Sequence, residues 1–274
     1  MGEKTIDINE LYEFEGNPYL VKDDEDMEEL MESIKENGVL EPLLVRERDE
    51  GGYEIISGHR RREACIKLGI DKLPCFVKDM TRDEAIIALV DSNLKRTNIL
   101  PSERAFAYKM KLEAQSHQGK TCGTEFHKSR DEVAEGTMSG RQVSNYVRLT
   151  NLIEPLLNLV DENKIALKPA VALSYLTFDE QFALSESIDI NESTPSYSQA
   201  IKMKTLSQKG TLNADIIENI MEEPKANQED KLQFKINDIS KYFPSSYTPK
   251  RMYETIEKLL ENFMKRWKER DNER

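Results

Sequence analysis

The stretch Ile55-Ile56-Ser57-Gly58-His59-Arg60-Arg61-Arg62-Glu63-Ala64 constrains this chain more than any other. Tyr53 to Ile56 follows Gly51-Gly52 and is rich in β-formers, so it predicts a strand. From Arg60 the spacing turns helical. Ala64, Cys65 and Leu68 are apolar at helical spacing, and Gly69 stops the helix. Gly58 is thereby placed at a strand-to-helix junction. A glycine there can take up dihedrals closed to other residues and lets the backbone come close to a ligand. The start of the helix presents unpaired N–H groups and the positive end of its dipole. Arginines in the first turn add cationic forks suited to phosphate. Strand, glycine and basic helix start together predict an anion site. The other reading is an arginine-rich surface helix behind a glycine turn. Cations in a first helical turn oppose the dipole, however, and need a reason to be there.

Around this junction the pattern predicts an α+β domain. Glu25 to Asn37 is a helix with Met27, Leu30, Met31 and Ile34 on one face, ended by Gly38. The acids Asp23-Asp24-Glu25-Asp26 suit its N-terminus and read as a solvated helix start. Leu43 to Arg46 and Tyr53 to Ser57 form a hairpin about a turn at Asp49–Gly52. Leu73 to Val77 is a further strand, in which Pro74 favours an edge or a strand start. Arg82 to Asn93 is a helix, and Pro101 opens another that runs to about Gln115. These elements predict a small mixed sheet with helices packed on it, spanning residues 1–116.

Charge locates the next function. The chain of 274 residues carries a net charge of −12, which argues against nucleic acid as a partner of the whole surface. Residues 95–150 are the exception, with 10 Lys+Arg against 6 Asp+Glu. Any DNA contact is expected there. Residues 117–128 read as a loop. Ser129 to Glu135, a turn at Gly136-Thr137-Met138, and Ser139 to Leu149 then have the form of a helix-turn-helix. Ser139 is a good N-cap. Val143, Tyr146 and Val147 supply the inward face, and Arg141, Gln142, Ser144, Asn145 and Arg148 are left outward, types that reach phosphates and base edges. A plain helical hairpin with a polar face is the alternative.

Amphipathic helices follow through residue 222, with Pro155 and Pro169 marking starts. Residues 222–231 have a linker's composition, and Leu232 to Ile236 a short strand's. The last helix, from about Pro249, repeats Met252, Ile256, Leu259, Phe263 and Trp267 at three or four residues, as a core or a dimer seam would. The expected division is 1–116, 117–222 and 223–274. There is no apolar run near 18 residues and no signal-peptide core, so a cytoplasmic protein is expected. Cys65, Cys75 and Cys122 have no metal-type spacing. Cys122 with His117 and His127 lacks a fourth ligand for zinc.

Four segments, in order, resemble the ParB family of DNA partition proteins. Asn17-Pro18 comes first, then Leu30 to Arg46 (LMESIKENGVLEPLLVR), then Ser57-Gly58-His59-Arg60-Arg61, and last Ser92-Asn93-Leu94-Lys95-Arg96 with Leu100-Pro101-Ser102-Glu103 behind it. The resemblance is close over about residues 5–115 and looser to about residue 175. It implies a ParB/sulfiredoxin-like N-terminal domain, a helix-turn-helix and a helical C-terminal region. It also implies a CTP-dependent clamp on a centromere-like site in double-stranded DNA, a homodimer, and a ParA-type ATPase as partner. By resemblance, Gly58, His59, Arg60, Arg61, Asn93 and Arg96 hold the nucleotide, Asn93 helping to hold Mg²⁺. Ser139, Arg141, Gln142, Ser144, Asn145 and Arg148 face DNA.

The chain departs from the family twice. Ser92 stands where the family carries a Glu associated with hydrolysis, so a weak CTPase or none is expected. Asn17-Pro18 continues Tyr19-Leu20-Val21 in place of the usual QPR. Sulfiredoxin has a cysteine where this chain has Gly58, which argues against that chemistry. A nucleoid-occlusion or transcription regulator, and a kinase or nuclease on the same fold, stay open.

Overall fold

The computed structural model describes residues 2–94, 96, 98–117, 139–223, 240–244 and 247–271. They form two compact units, residues 1–223 and 224–274. The first unit begins with a five-stranded mixed sheet. Its strands are β1 (Gly2–Asp7), β2 (Leu11–Tyr12), β3 (Leu43–Glu47), β4 (Tyr53–Ser57) and β5 (Lys72–Val77), in the order β1-β5-β3-β4-β2. β3 and β4 are the antiparallel hairpin expected from Gly51-Gly52, with Arg48 N–H donating to the Gly52 carbonyl at 3.0 Å.

Pro74 departs from expectation, because β5 is an interior strand between β1 and β3. It is tolerated there because the β3 ladder begins only at Leu43 opposite Cys75, leaving Pro74 beyond its end on that side. The edge is instead β1, whose residues are mostly exposed and whose sequence carries little alternation. Pairing with β5, Ile6 opposite Leu73, makes that segment a strand.

Helices cover both faces. α1 (Glu25–Asn37) and α2 (His59–Leu68) lie on one, where Met27, Ile34, Ala64 and Cys65 bury against Val45 and Ile55. α3 (Arg82–Leu94) and α4 (Pro101–His117) lie on the other, where Leu89, Val90 and Ala107 bury with Ile56 and Phe14. Ile55 and Ile56 point to opposite faces because successive strand residues alternate. Each fully buried isoleucine contributes roughly 1.5–3 kcal/mol.

α4 belongs to two cores at once. Ala107 packs with the sheet domain, whereas Ala105 joins the helices that follow. These are α5 (Gly140–Leu149), α6 (Glu154–Asp161), α7 (Leu167–Leu173), α8 (Phe178–Asn191), α9 (Tyr197–Gln208) and α10 (Ala214–Glu222). Their core is built on Leu149, Leu156, Leu173, Leu184, Ala200 and Ile217. Asp161 of α6 accepts from the Ser102 backbone N–H at 2.9 Å and so caps α4 from across the chain. The helix expected at residues 129–135, the turn expected at 136–138, the loop expected at 117–128 apart from His117, and the strand expected at 232–236 lie outside the described residues.

The second unit carries α11 (Pro249–Asp271). Leu259, Leu260 and Phe263 are exposed along it, and Met252 and Ile256 are half-buried. Among the described residues no helix is long and apolar enough to cross a membrane.

Candidate functional site

Gly58 stands between β4 and α2 with φ 106° and ψ 20°, in the left-handed region that favours glycine. A Cβ at this position would lie 2.8 Å from Cγ of Leu43, so the side chain of alanine would not fit either. Gly58 provides no side-chain cap, and the first N–H groups of α2 are left for another acceptor.

The expected nucleotide residues divide. Arg60 and Arg96 line one cleft of about 740 Å³, together with Lys22, Asp24, Asn98 and Glu103. Arg61 turns away, its Nη1 donating to the carbonyls of Glu41 and Pro42. Burial holds its pKa below the ordinary guanidinium value, Glu41 opposes that, and Arg96 adds to it. His59 lines the neighbouring cleft of about 720 Å³. Burial first, then Arg96 and Arg62, push its pKa down to about 4, so the ring is neutral at pH 7. Its Nε2 is buried without a hydrogen-bond partner. Arg96 thus disfavours the charged forms of both His59 and Arg61, while Arg60 and Arg96 alone of the four expected basic side chains share a cleft.

Asn93 is buried at 7% exposure, with its amide nitrogen donating to the Leu89 carbonyl at 2.8 Å. The Ser92 hydroxyl donates to the same carbonyl at 2.9 Å. Asp91 faces elsewhere and pairs with buried Lys111 at 2.5 Å. Among the described residues no three His, Cys, Asp or Glu side chains are grouped to hold a metal.

Asp24, Tyr19 and Glu103 belong to this region and were not legible as site residues. Asp24 accepts from Arg60 Nη2 at 2.7 Å and from Met27 N–H at 3.1 Å, so one carboxylate pairs the arginine and caps α1. The bond from Arg60 holds its pKa below the usual carboxylate value. Glu103 accepts from the backbone N–H groups of Leu20 at 3.1 Å and Leu100 at 3.0 Å. Tyr19 is 8% exposed with a buried hydroxyl that has no partner, and burial and then Glu103 push its pKa well up. The available signal was the acidic run Asp23–Asp26 in the same domain as a basic first turn.

The expected DNA residues lie on or beside α5. Ser139 and Gln142 form a reciprocal capping box, Ser139 Oγ accepting from Gln142 N–H at 3.3 Å and Gln142 Oε1 accepting from Ser139 N–H at 3.0 Å. Val143 and Leu149 are buried, and Arg141 and Gln142 are exposed. Ser144 Oγ donates to the Gly140 carbonyl at 2.9 Å. Among the described residues Arg141 and Asn145 make no side-chain hydrogen bond. Arg148 lies 3.8 Å from the Tyr175 ring centroid and donates to the Ser174 carbonyl at 2.8 Å. Lys204 Nζ is 3.6 Å from the centroid of the same ring.

The fold and the cleft define a class: an α+β domain whose cleft, lined by Lys22, Arg60 and Arg96 against Asp24, Asp26 and Glu103, lies beside an uncapped helix start, followed by a helical domain. Residues 2–94 match the family model of the ParB N-terminal domain. A probable chromosome 1-partitioning protein ParB of Deinococcus radiodurans is 34% identical over 171 residues, 62% of this chain and 55% of the relative. A nucleoid occlusion protein of Halalkalibacterium halodurans is 32% identical over 175 residues, 64% of this chain and 58% of the relative. The chain therefore spans little more than half the length of these curated relatives. A solved structure of C-terminally truncated ParB from Caulobacter crescentus, complexed with CTP-gamma-S, is 25% identical and covers 69% of this chain and 99% of that one, with a TM-score of 0.33.

Proposed function

We propose that this protein binds a nucleoside triphosphate in the cleft of Arg60 and Arg96 and double-stranded DNA through α5. It then acts in partition of a chromosome, plasmid or mobile element. The observation that carries this reading is the convergence of Arg60 and Arg96 on one cleft beside the uncapped start of α2. Resemblance of the motifs makes the nucleotide CTP with Mg²⁺. Asn93 would supply a neutral oxygen to that cation, a ligand type that suits it. Ser139, Arg141, Gln142, Ser144, Asn145 and Arg148 make the DNA face of the reading. The exposed apolar residues of α11 support a homodimer, and a ParA-type ATPase is the partner the resemblance implies. In this reading residues 1–116, 117–222 and 223–274 divide the work among nucleotide, DNA and assembly.

Ser92 makes turnover slow. A serine hydroxyl at neutral pH is no general base, and such help is typically worth roughly 10²–10⁴-fold. Ser92→Glu should raise phosphate release above that of the wild type, measured by single-turnover assay with DNA present. A nucleoid-occlusion role is the second reading, favoured by the near-equal similarity to the Deinococcus and Halalkalibacterium proteins.

Calorimetry with CTP and Mg²⁺ tests the cleft. Arg60→Ala should weaken binding by about tenfold to a hundredfold, the value of a charged hydrogen bond. The melting temperature should hardly move, because the part-exposed Arg60–Asp24 pair stabilises little. Equal affinity in wild type and variant would remove the cleft from the mechanism.

A further inference from the structure

The region of the anion site already holds anions of its own. Asp24 receives Arg60 through two hydrogen bonds, Nη2 to Oδ1 at 2.7 Å and Nη1 to Oδ2 at 3.4 Å. Asp23 receives Lys67, from the last turn of the same helix, at 2.5 Å. These acids end a strap, residues 19–24, that runs between the two clefts, with Tyr19, Leu20 and Lys22 lining both. The strap is held at its other end by Leu20 N–H on Glu103 Oε1 at 3.1 Å and by the buried Tyr19 ring. The paired geometry on Arg60 is the one an incoming phosphate would use, since guanidinium forks take carboxylate and phosphate alike.

We infer that the strap residue Asp24 is an internal competitor for the phosphate site: its carboxylate holds the Arg60 fork until a triphosphate displaces it. The inference rests on the proposed nucleotide reading of this cleft and adds its regulation. A second bond and a less exposed side chain, 38% exposed, set Asp24 apart from a surface acid. It caps α1 through Met27 N–H, so α1 fixes the carboxylate beside Arg60. Asp23, by contrast, is 77% exposed at the side chain and pairs with a lysine at the far end of α2. Displacement of Asp24 from Arg60 removes one of the strap's ties to α2 and leaves Asp23 on Lys67 as the other. Occupancy of the cleft is thereby linked to the order of residues 19–24.

Asp24→Asn separates the two tasks, because asparagine caps a helix about as well as aspartate and carries no charge to hold the fork. Calorimetry of the full chain with CTP and Mg²⁺ should find this variant binding roughly two- to fivefold tighter than wild type, the value of removing one part-exposed ion pair. Asp23→Asn removes the same charge one residue away and should tighten binding less. Thermal melts of both variants check that α1 stays folded. Equal gains from the two substitutions would show a general effect of charge and overturn the competitor. A folded Asp24→Asn that binds no tighter, beside a wild type that binds, would overturn it and leave the cleft standing. Binding by Asp24→Asn alone would support it strongly. Binding by neither protein would overturn the nucleotide reading and this inference together.

Discussion

α2 and α5 are both short arginine-bearing helices of the same unit, and their arginines behave differently. Arg60 of α2 lines an open cleft and is met there by the Asp24 carboxylate from another element. Arg148 of α5 is stacked on Tyr175 and bonded to the Ser174 carbonyl, so it ties its helix to the end of α7. Arg60 read as a first-turn cation suited to phosphate, and Arg148 as an outward cation from its spacing. Helical spacing fixes the direction of a side chain but not what chain distant in sequence arrives to meet it. Asp24 lies 36 residues from Arg60 and Ser174 lies 26 from Arg148. The lesson is that a cation can serve a ligand, an internal anion or its own helix, and only the fold decides among these.

The strongest way to break the comparison is to remove the geometry under α2. Gly58→Ala forces a side chain into a left-handed backbone and against Leu43 Cγ at 2.8 Å. Residues held there cost about 1–3 kcal/mol before any clash, so roughly 2–4 kcal/mol of stability should be lost. Urea unfolding measures it. Gly140→Ala at the start of α5 supplies the contrast: Gly140 is not among the glycines with positive φ, and a small gain in helix stability is expected.

Much of this could be read beforehand. The helix of Glu25–Asn37, the hairpin and the glycine junction were all legible, because each depends on local pattern and turn chemistry. β1 was not, since its six residues become a strand through pairing with β5 rather than through any alternation of their own. Pro74 misled for the same reason: a proline argues for an edge only if a ladder continues past it on the side of its missing N–H. Arg60 and Arg96 were read from the motifs, and the fold brings both to one cleft. Asp24 was read with its neighbours as part of a solvated helix start; the fold makes it the cap of α1, and its second bond to Arg60 depends on how α1 packs against α2. His59 was read as a donor to phosphate, and its burial and neutrality followed only from the fold.

That burial gives a pH signature confined to the α2 side. The pKa of His59 is about 4 in the folded chain against an ordinary value of 6.5. The unfolded chain therefore takes up the proton first as pH falls. Stability is complete above about 6.5, declines between 6.5 and 4, and loses nothing further to this group below 4. The total loss should approach about 3 kcal/mol. Asp24 titrates in a lower window: its folded pKa is below the ordinary 3.8, so its contribution is present above 3.8 and is lost as pH falls from there through the folded value. Urea unfolding at pH 7, 6, 5 and 4 on the wild type and His59→Gln should show the decline in the first and a flatter profile in the second. Equal slopes would mean that His59 is solvated in solution.

The smallest effect sharpens the comparison most, because it divides two neighbours on one helix. Arg148 has partners within the fold, whereas Asn145, half-buried three residues earlier, makes no side-chain hydrogen bond among the described residues. Removing Arg148 deletes one charged hydrogen bond and one stacked cation, and should cost roughly 1–2 kcal/mol of folding stability. Asn145→Ala should leave folding within about 0.5 kcal/mol, as substitutions away from such features do. On DNA the order reverses in kind. Asn145→Ala should lower discrimination between sites by roughly 1–3 kcal/mol if the residue reads a base edge. Arg148→Ala should lower affinity for every sequence alike, through a helix less firmly held on α7 and through one cation fewer facing the phosphates. Salt dependence separates those two causes. One phosphate neutralised less flattens the slope of log affinity against log salt by about one unit, whereas a misplaced helix leaves the slope unchanged and lowers affinity throughout. Arg148→Lys keeps the charge but cannot reproduce the planar stack with the Ser174 bond. If the lysine variant binds like wild type, Arg148 acts as a charge; if it binds like the alanine variant, the stack on Tyr175 is what the helix needs.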